Sequence, residues 1–207
     1  MNAFLRRLVF LAVLSGSFPS LDAQTAAVRK PGDLTAAGKI DFPVSCTAGA
    51  QPEFNRGVAL LHSFFYEEAR RIFTAVAEQD PKCAMAQWGI AMTWWHPIWT
   101  PPTPNEMSAG QEAIDKAMEM APGSDRERRF ITALYAYYHA PESAAAAAVG
   151  QSCHGPVGPR DRVVAYEKAM RELYEKYPDD FEDRLFMPWR DCQLVMPPLT
   201  TPLYPTN

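Results

Sequence analysis

Residues 57–96 read GVALLHSFFYEEARRIFTAVAEQDPKCAMAQWGIAMTWWH, and their apolar positions return every three or four residues. That spacing lines one face of a helix, whereas a half-buried strand alternates with period two. The same spacing runs from Gln51 to Tyr177, with no β-branched runs bounded by turns, and predicts an all-α body. Thr103, Pro104 and Glu106 supply an N-cap, a first-turn proline and a capping-box glutamate, and Ser124 with Glu127 repeats the box. Pro81, Pro122, Pro141 and Pro178 stop helices or follow their ends. Helices are therefore expected near 52–63, 66–79, 83–95, 105–120, 125–139 and 161–177. Short connections predict antiparallel neighbours.

An internal period accompanies the helices. Leu60-Leu61-His62 returns after 34 residues as Trp94-Trp95-His96, and Tyr137-Tyr138-His139 lies another 43 residues on. The longer second interval is accounted for by the proline-rich insertion from Pro97 to Pro104. The repeating unit is then a helix pair. Gly57, Ala69, Phe73 and Pro81 fall at the spacing of the tetratricopeptide repeat (TPR), which this segment resembles. It departs from that pattern at Glu53, Arg56 and Leu60, where the family prefers Trp, Leu and Tyr. The wider string from His62 to Ala69, with Cys83 to Met92 and His96 to Trp99, is similar to a group of bacterial repeat proteins of unassigned role. The resemblance covers about residues 42–186 and implies antiparallel helix pairs stacked as a TPR-like solenoid. Its concave face would be lined by the first helix of each pair, and it carries no catalytic residue across.

The chain of 207 residues, 47% hydrophobic and 21% charged, has a globular composition with room for one core. A net charge of −4 provides no basic stripe for a phosphate backbone, so nucleic acid is not an expected partner. Residues 1–23 combine Arg6 and Arg7, an apolar run from Leu8 to Leu14 and a small-residue site near Ala23, and read as a signal peptide. The other reading is an uncleaved anchor. The run is shorter than the ~20 residues of a membrane helix. An exported body, periplasmic or extracellular, is expected, without stable membrane insertion. Residues 24–44 read as a flexible leader, 45–187 as the helical repeat domain and 188–207 as a proline-rich irregular tail.

The candidate site residues are His62, His96, His139, Trp94 and Trp99. The three histidines close three helices. They are either metal or ligand contacts, His62 and His96 sharing one with Glu67 and Glu68 nearby, or caps on the last carbonyls of their helices. Packed helices lie ~8–10 Å apart, which argues against one metal shared by all three. Trp88, Ala91 and Trp95 share a face and are expected in the core, while Trp94 points elsewhere. Trp94 and Trp99 either line a ligand cradle or brace the proline-rich loop. Export permits disulfides among Cys46, Cys83, Cys153 and Cys192, with Cys46 to Cys83 the first candidate. Cys153-His154 lacks the second cysteine of a haem box, and no phosphate loop, zinc-protease helix or hydrolase elbow occurs. No cofactor, metal or catalytic residue is assigned.

The sequence therefore predicts a non-catalytic exported scaffold that binds a protein or peptide in its concave groove. The rival is a ligand- or metal-binding envelope protein or enzyme accessory that uses His62, His96 and the Trp94 to Trp99 region. The tail raises a separate expectation. Residues 188–205 hold five prolines where a stack needs a polar capping helix. Reading the codons of Phe186-Met187-Pro188-Trp189-Arg190 one base earlier encodes Tyr or His, then Ala, then Leu, Met or Val, then Ala. The similar bacterial proteins continue with such a helix, so residues 187–207 read either as a frameshift product or as a natural irregular terminus.

Overall fold

Two helix starts show how closely local chemistry sets this architecture. The Thr103 hydroxyl accepts from the Glu106 N–H while the Glu106 carboxylate accepts from the Thr103 N–H, and Ser124 and Glu127 make the same reciprocal pair. The structure, a computed structural model, describes residues 40–97, 100–141, 150–152, 155–157, 160–180 and 186. Six helices occur among them: α1 (Gln51–His62), α2 (Tyr66–Gln79), α3 (Ala84–Met92), α4 (Pro104–Glu119), α5 (Asp125–His139) and α6 (Arg160–Lys176). The body is all-helical apart from one addition that periodicity did not show: β1 (Gly150–Ser152) pairs antiparallel with β2 (Gly155–Val157). The expected signal peptide, Trp99, Cys153, Cys192 and the tail beyond Phe186 lie outside the described residues.

Helix α3 is shorter than the expected 83–95. Its last N–H groups turn to three-residue bonds, Trp94 to Ala91 and Trp95 to Met92, and the Thr93 hydroxyl bonds the Ile90 carbonyl at 2.7 Å. Pro97 then disfavours helical backbone at His96, which instead bridges to Thr100.

Each helix packs on its neighbours in sequence, and α1 also touches α3, as α3 touches α5. Phe73 of α2 is the wedge in the first of these junctions. A Cβ on Gly57 of α1 would lie 2.7 Å from the Phe73 ring, and one on Gly89 of α3 only 2.5 Å from it. Both helices thus surrender a side chain so that one ring can fill the space between them. Tyr138 of α5 repeats the device against Gly110 of α4, and its hydroxyl donates to the Ala91 carbonyl at 2.7 Å. Trp95 stacks on Tyr137 at 4.0 Å between centroids and meets Tyr166 of α6 edge-on. The Arg162 guanidinium donates to the carbonyls of Tyr137 and Tyr138, satisfying the end of α5. Trp88, Ala91 and Trp95 are all buried, as their shared face predicts. No helix of the described residues is long and apolar enough to cross a membrane.

The end of the expected leader is part of this core. Ile40, Phe42 and Val44 alternate inward, and Phe42 has no exposed surface. Residues 40–44 of the expected flexible leader are thus packed on the core, because an extended stretch with period-two apolar residues has an aromatic pocket to enter, and residues 24–39 lie outside the described residues.

Candidate functional site

Residues 40–47 lie across the face formed by α1, α3 and α5. Phe42 sits among Phe54 of α1, Trp88 of α3, Phe130 of α5 and Phe186, with ring centroids 5.1–6.2 Å away. These are the separations of favourable edge and tilted aromatic pairs. Around the ring, helix side chains bond the main chain of the segment. Asn55 Oδ1 accepts from the Phe42 N–H at 3.2 Å, and Gln51 Nε2 donates to the Phe42 carbonyl at 2.8 Å while its Oε1 accepts from the Val44 N–H at 3.0 Å. Arg126 Nη1 donates to the Pro43 carbonyl at 3.1 Å, and the Glu127 carboxylate accepts from the Ser45 N–H. Arg126 also covers the Phe42 ring at 4.4 Å and is paired with Asp180. At the far end Asp80 accepts from the Thr47 N–H at 2.7 Å, a bond that holds its carboxyl below the ordinary carboxylate value. A disulfide joins Cys46 to Cys83, with Cα atoms 4.9 Å apart. None of Phe42, Gln51, Asn55, Arg126 or Glu127 stands out in the sequence as a binding residue. The signal present was the alternation Ile40, Phe42, Val44 ahead of a polar i, i+4 pair, Gln51 and Asn55.

The predicted histidines occupy three different settings. His62 lies against Phe186, centroids 4.6 Å apart, and among the described residues its Nε2 is buried without a hydrogen-bond partner, as is Trp88 Nε1. His96 lies tilted against Tyr66, centroids 4.3 Å apart, and its Nε2 meets the Thr93 carbonyl at 3.1 Å, the carbonyl-capping role. His139 stacks on Tyr135 at 3.9 Å and its Nε2 meets Asp115 Oδ1 at 2.7 Å. His62 and His96 thus pack on different rings among the described residues. Among the described residues no group of three or more His, Cys, Asp or Glu side chains is placed to hold a metal ion.

Burial holds the His62 imidazole below its ordinary value of 6.5. The unfolded chain then binds a proton that the folded chain resists, so this contribution is complete above about pH 6.5 and declines as pH falls below it. His62→Gln is expected to flatten the fall in stability between pH 7 and pH 5. Urea midpoints of both proteins at the two pH values provide the comparison, and parallel declines would show that His62 does not titrate as its burial requires.

Trp94 and His96 do come together, at an open corner between the end of α1, α2 and the start of α4. A cavity of about 530 Å³ there is lined by Phe64, Tyr66, Arg70, Trp94, His96 and Glu106, among others. The Arg70 guanidinium carbon lies over Trp94, 3.7 Å from the ring centroid. Helix α1 closes with the bonds of a Schellman motif, Phe65 N–H to the Leu60 carbonyl and Phe64 N–H to the Leu61 carbonyl. The position that glycine usually fills is Phe64, at φ 63°. A non-glycine residue there costs ~1–2 kcal/mol, yet Phe64 and Phe65 remain 41% and 50% exposed. No family model, curated protein or solved structure matches the chain.

Proposed function

We propose that the protein is an exported, non-catalytic scaffold of helix pairs stacked in the TPR-like manner, which binds an extended peptide across the face of α1, α3 and α5. The single observation that carries this reading is the way residues 40–47 lie on that face. Side chains from two helices hold main-chain N–H and C=O groups while one aromatic side chain fills a pocket. Main-chain bonds supply affinity for any extended segment, and the pocket selects the side chain, as in other modes of peptide capture. The contacts of α1 with α3 and of α3 with α5 support the stacked arrangement, in which the first helices of successive pairs form one layer.

The test uses a labelled synthetic peptide of residues 38–47 carrying Cys46→Ser, added to the full-length Phe42→Ala protein, whose own segment is weakened. Saturable binding is expected, and it should be lost when the peptide also carries Phe42→Ala. Failure of the unmodified peptide to bind a folded Phe42→Ala protein would sink the reading. A second reading, capture of a ligand at the Trp94 and His96 corner, is favoured by the exposed pair Phe64 and Phe65 beside a cavity. The same titration separates the two: Trp94→Ala leaves peptide binding intact under the first reading, whereas loss of binding in that variant would place the captured segment at the corner.

A further inference from the structure

We infer that residues 40–46 are a hinged self-ligand: they close the α1, α3 and α5 face in the resting protein and give way to a partner that presents an extended segment with a phenylalanine in the place of Phe42. This rests on the peptide-binding reading above and adds the identity of the occupant and the means of its exclusion.

Three features make the segment a lid rather than an ordinary piece of core. First, its polar contacts with α1 and α5 run from helix side chains to its own main chain, so a foreign extended chain can meet them equally well. Second, apart from its contacts with α1 and α5, its links among the described residues lie at one end. Cys46 is bonded to Cys83 and Thr47 to Asp80, while the end at Ile40 carries the half-buried side chain of that residue. Peeling from Ile40 therefore uncovers the Phe42 pocket without breaking the disulfide. Third, the pocket has aromatic walls from three helices, Phe54, Trp88 and Phe130, and stays shaped when Phe42 leaves, because those walls pack on other residues as well.

The partner's chemistry follows from the same contacts. Phe42 is neutral and wholly buried, and the Arg126 guanidinium lies over its ring, so an aromatic side chain suits the site and a basic one does not. Pro43 follows Phe42, and its lack of an N–H is tolerated where only its carbonyl is used, by Arg126. The segment expected to compete thus carries Phe, with Pro after it permitted and an N–H two residues after the Phe for Gln51.

A segment joined to its site by only a few residues acts at an effective concentration in the millimolar range or above, so it holds the site mostly closed. A partner's apparent affinity is then the intrinsic affinity reduced by the open fraction. Removing the ring should raise that fraction by roughly 100-fold or more, given the usual cost of truncating a buried phenylalanine. The experiment compares binding of the 38–47 peptide carrying Cys46→Ser to oxidised wild-type protein and to Phe42→Ala. At least a 100-fold tighter apparent Kd is expected for the variant. Ser45→Pro guards against a variant that fails to fold, since it removes the N–H from which Glu127 accepts and leaves every wall of the Phe42 pocket in place. It should tighten binding by roughly tenfold, in line with the loss of one hydrogen bond to a charged group. Equal affinities for wild type and both variants would overturn the self-ligand while leaving the binding face standing. No binding to either folded variant would overturn the face itself.

Discussion

Phe73→Ala is expected to lose about 3–5 kcal/mol of stability, the usual range for truncating a buried phenylalanine to alanine, which at this chain length is a fall in melting temperature of roughly 6–20 °C. The size follows from what surrounds the ring. Phe73 has no exposed surface, and it meets Phe54 of α1 at 5.4 Å between centroids as well as the bare backbones at Gly57 and Gly89. A cavity left there has glycine on two sides, and glycines have no side chain with which to collapse into it. The converse change tests the same junction. Gly89→Ala places a methyl 2.5 Å from the Phe73 ring, and Gly57 bars the ring from moving toward α1. Overpacking of that kind costs about 1–3 kcal/mol. If one wedge serves both glycines, Phe73→Ala combined with Gly89→Ala is less destabilised than the two single changes added together. Chemical denaturation of the four proteins measures this, and strict additivity would mean that Phe73 and Gly89 do not share a space.

The residues that set helix ends were the legible part of the fold. Thr103 with Glu106 and Ser124 with Glu127 work through bonds confined to four consecutive residues, so their meaning survives without knowledge of the rest of the chain. The end of α3 was not legible in that way. Met92, Thr93 and Trp94 continue the apolar spacing, and it is the restraint from Pro97 and the side-chain bond of Thr93 that stop the helix.

The histidines show a different limit. Their positions at three helix ends repeat, but what each ring meets comes from elsewhere in the chain, Phe186 for His62, Tyr66 for His96 and Asp115 for His139. Sequence repetition therefore located them and said nothing of their chemistry. The segment at Phe42 was missed for a related reason. Three alternating residues are too few to establish a period, and the pocket that makes them matter is assembled from helix residues far along the chain, as distant as Phe130 from Phe42.

Removing the disulfide is expected to cost nearly as much as removing the wedge, but in a different part of the molecule. Cys46 and Cys83 close a loop with a sequence separation of 37, and in the chain-entropy model such a link contributes about 4 kcal/mol by restricting the unfolded chain. That loop contains all of α1 and α2, the first helix pair, and none of α4, α5 or α6. Among the described residues this pair meets the other helices chiefly through α3, so it is the unit expected to open first when its own links are cut. In Cys46→Ser with Cys83→Ser, hydrogen exchange should therefore lose protection chiefly in α1 and α2, while α5 keeps most of its own through the Tyr138 and Arg162 bonds. Wild-type protein, denatured but not reduced, must leave Cys46 and Cys83 unalkylated if the link is present. Free alkylation of Cys46 under those conditions would remove the disulfide from the account. An even loss of protection from α1 to α6 would show instead that the helices unfold as one unit, and that the link acts on the whole chain rather than on the first pair it encloses.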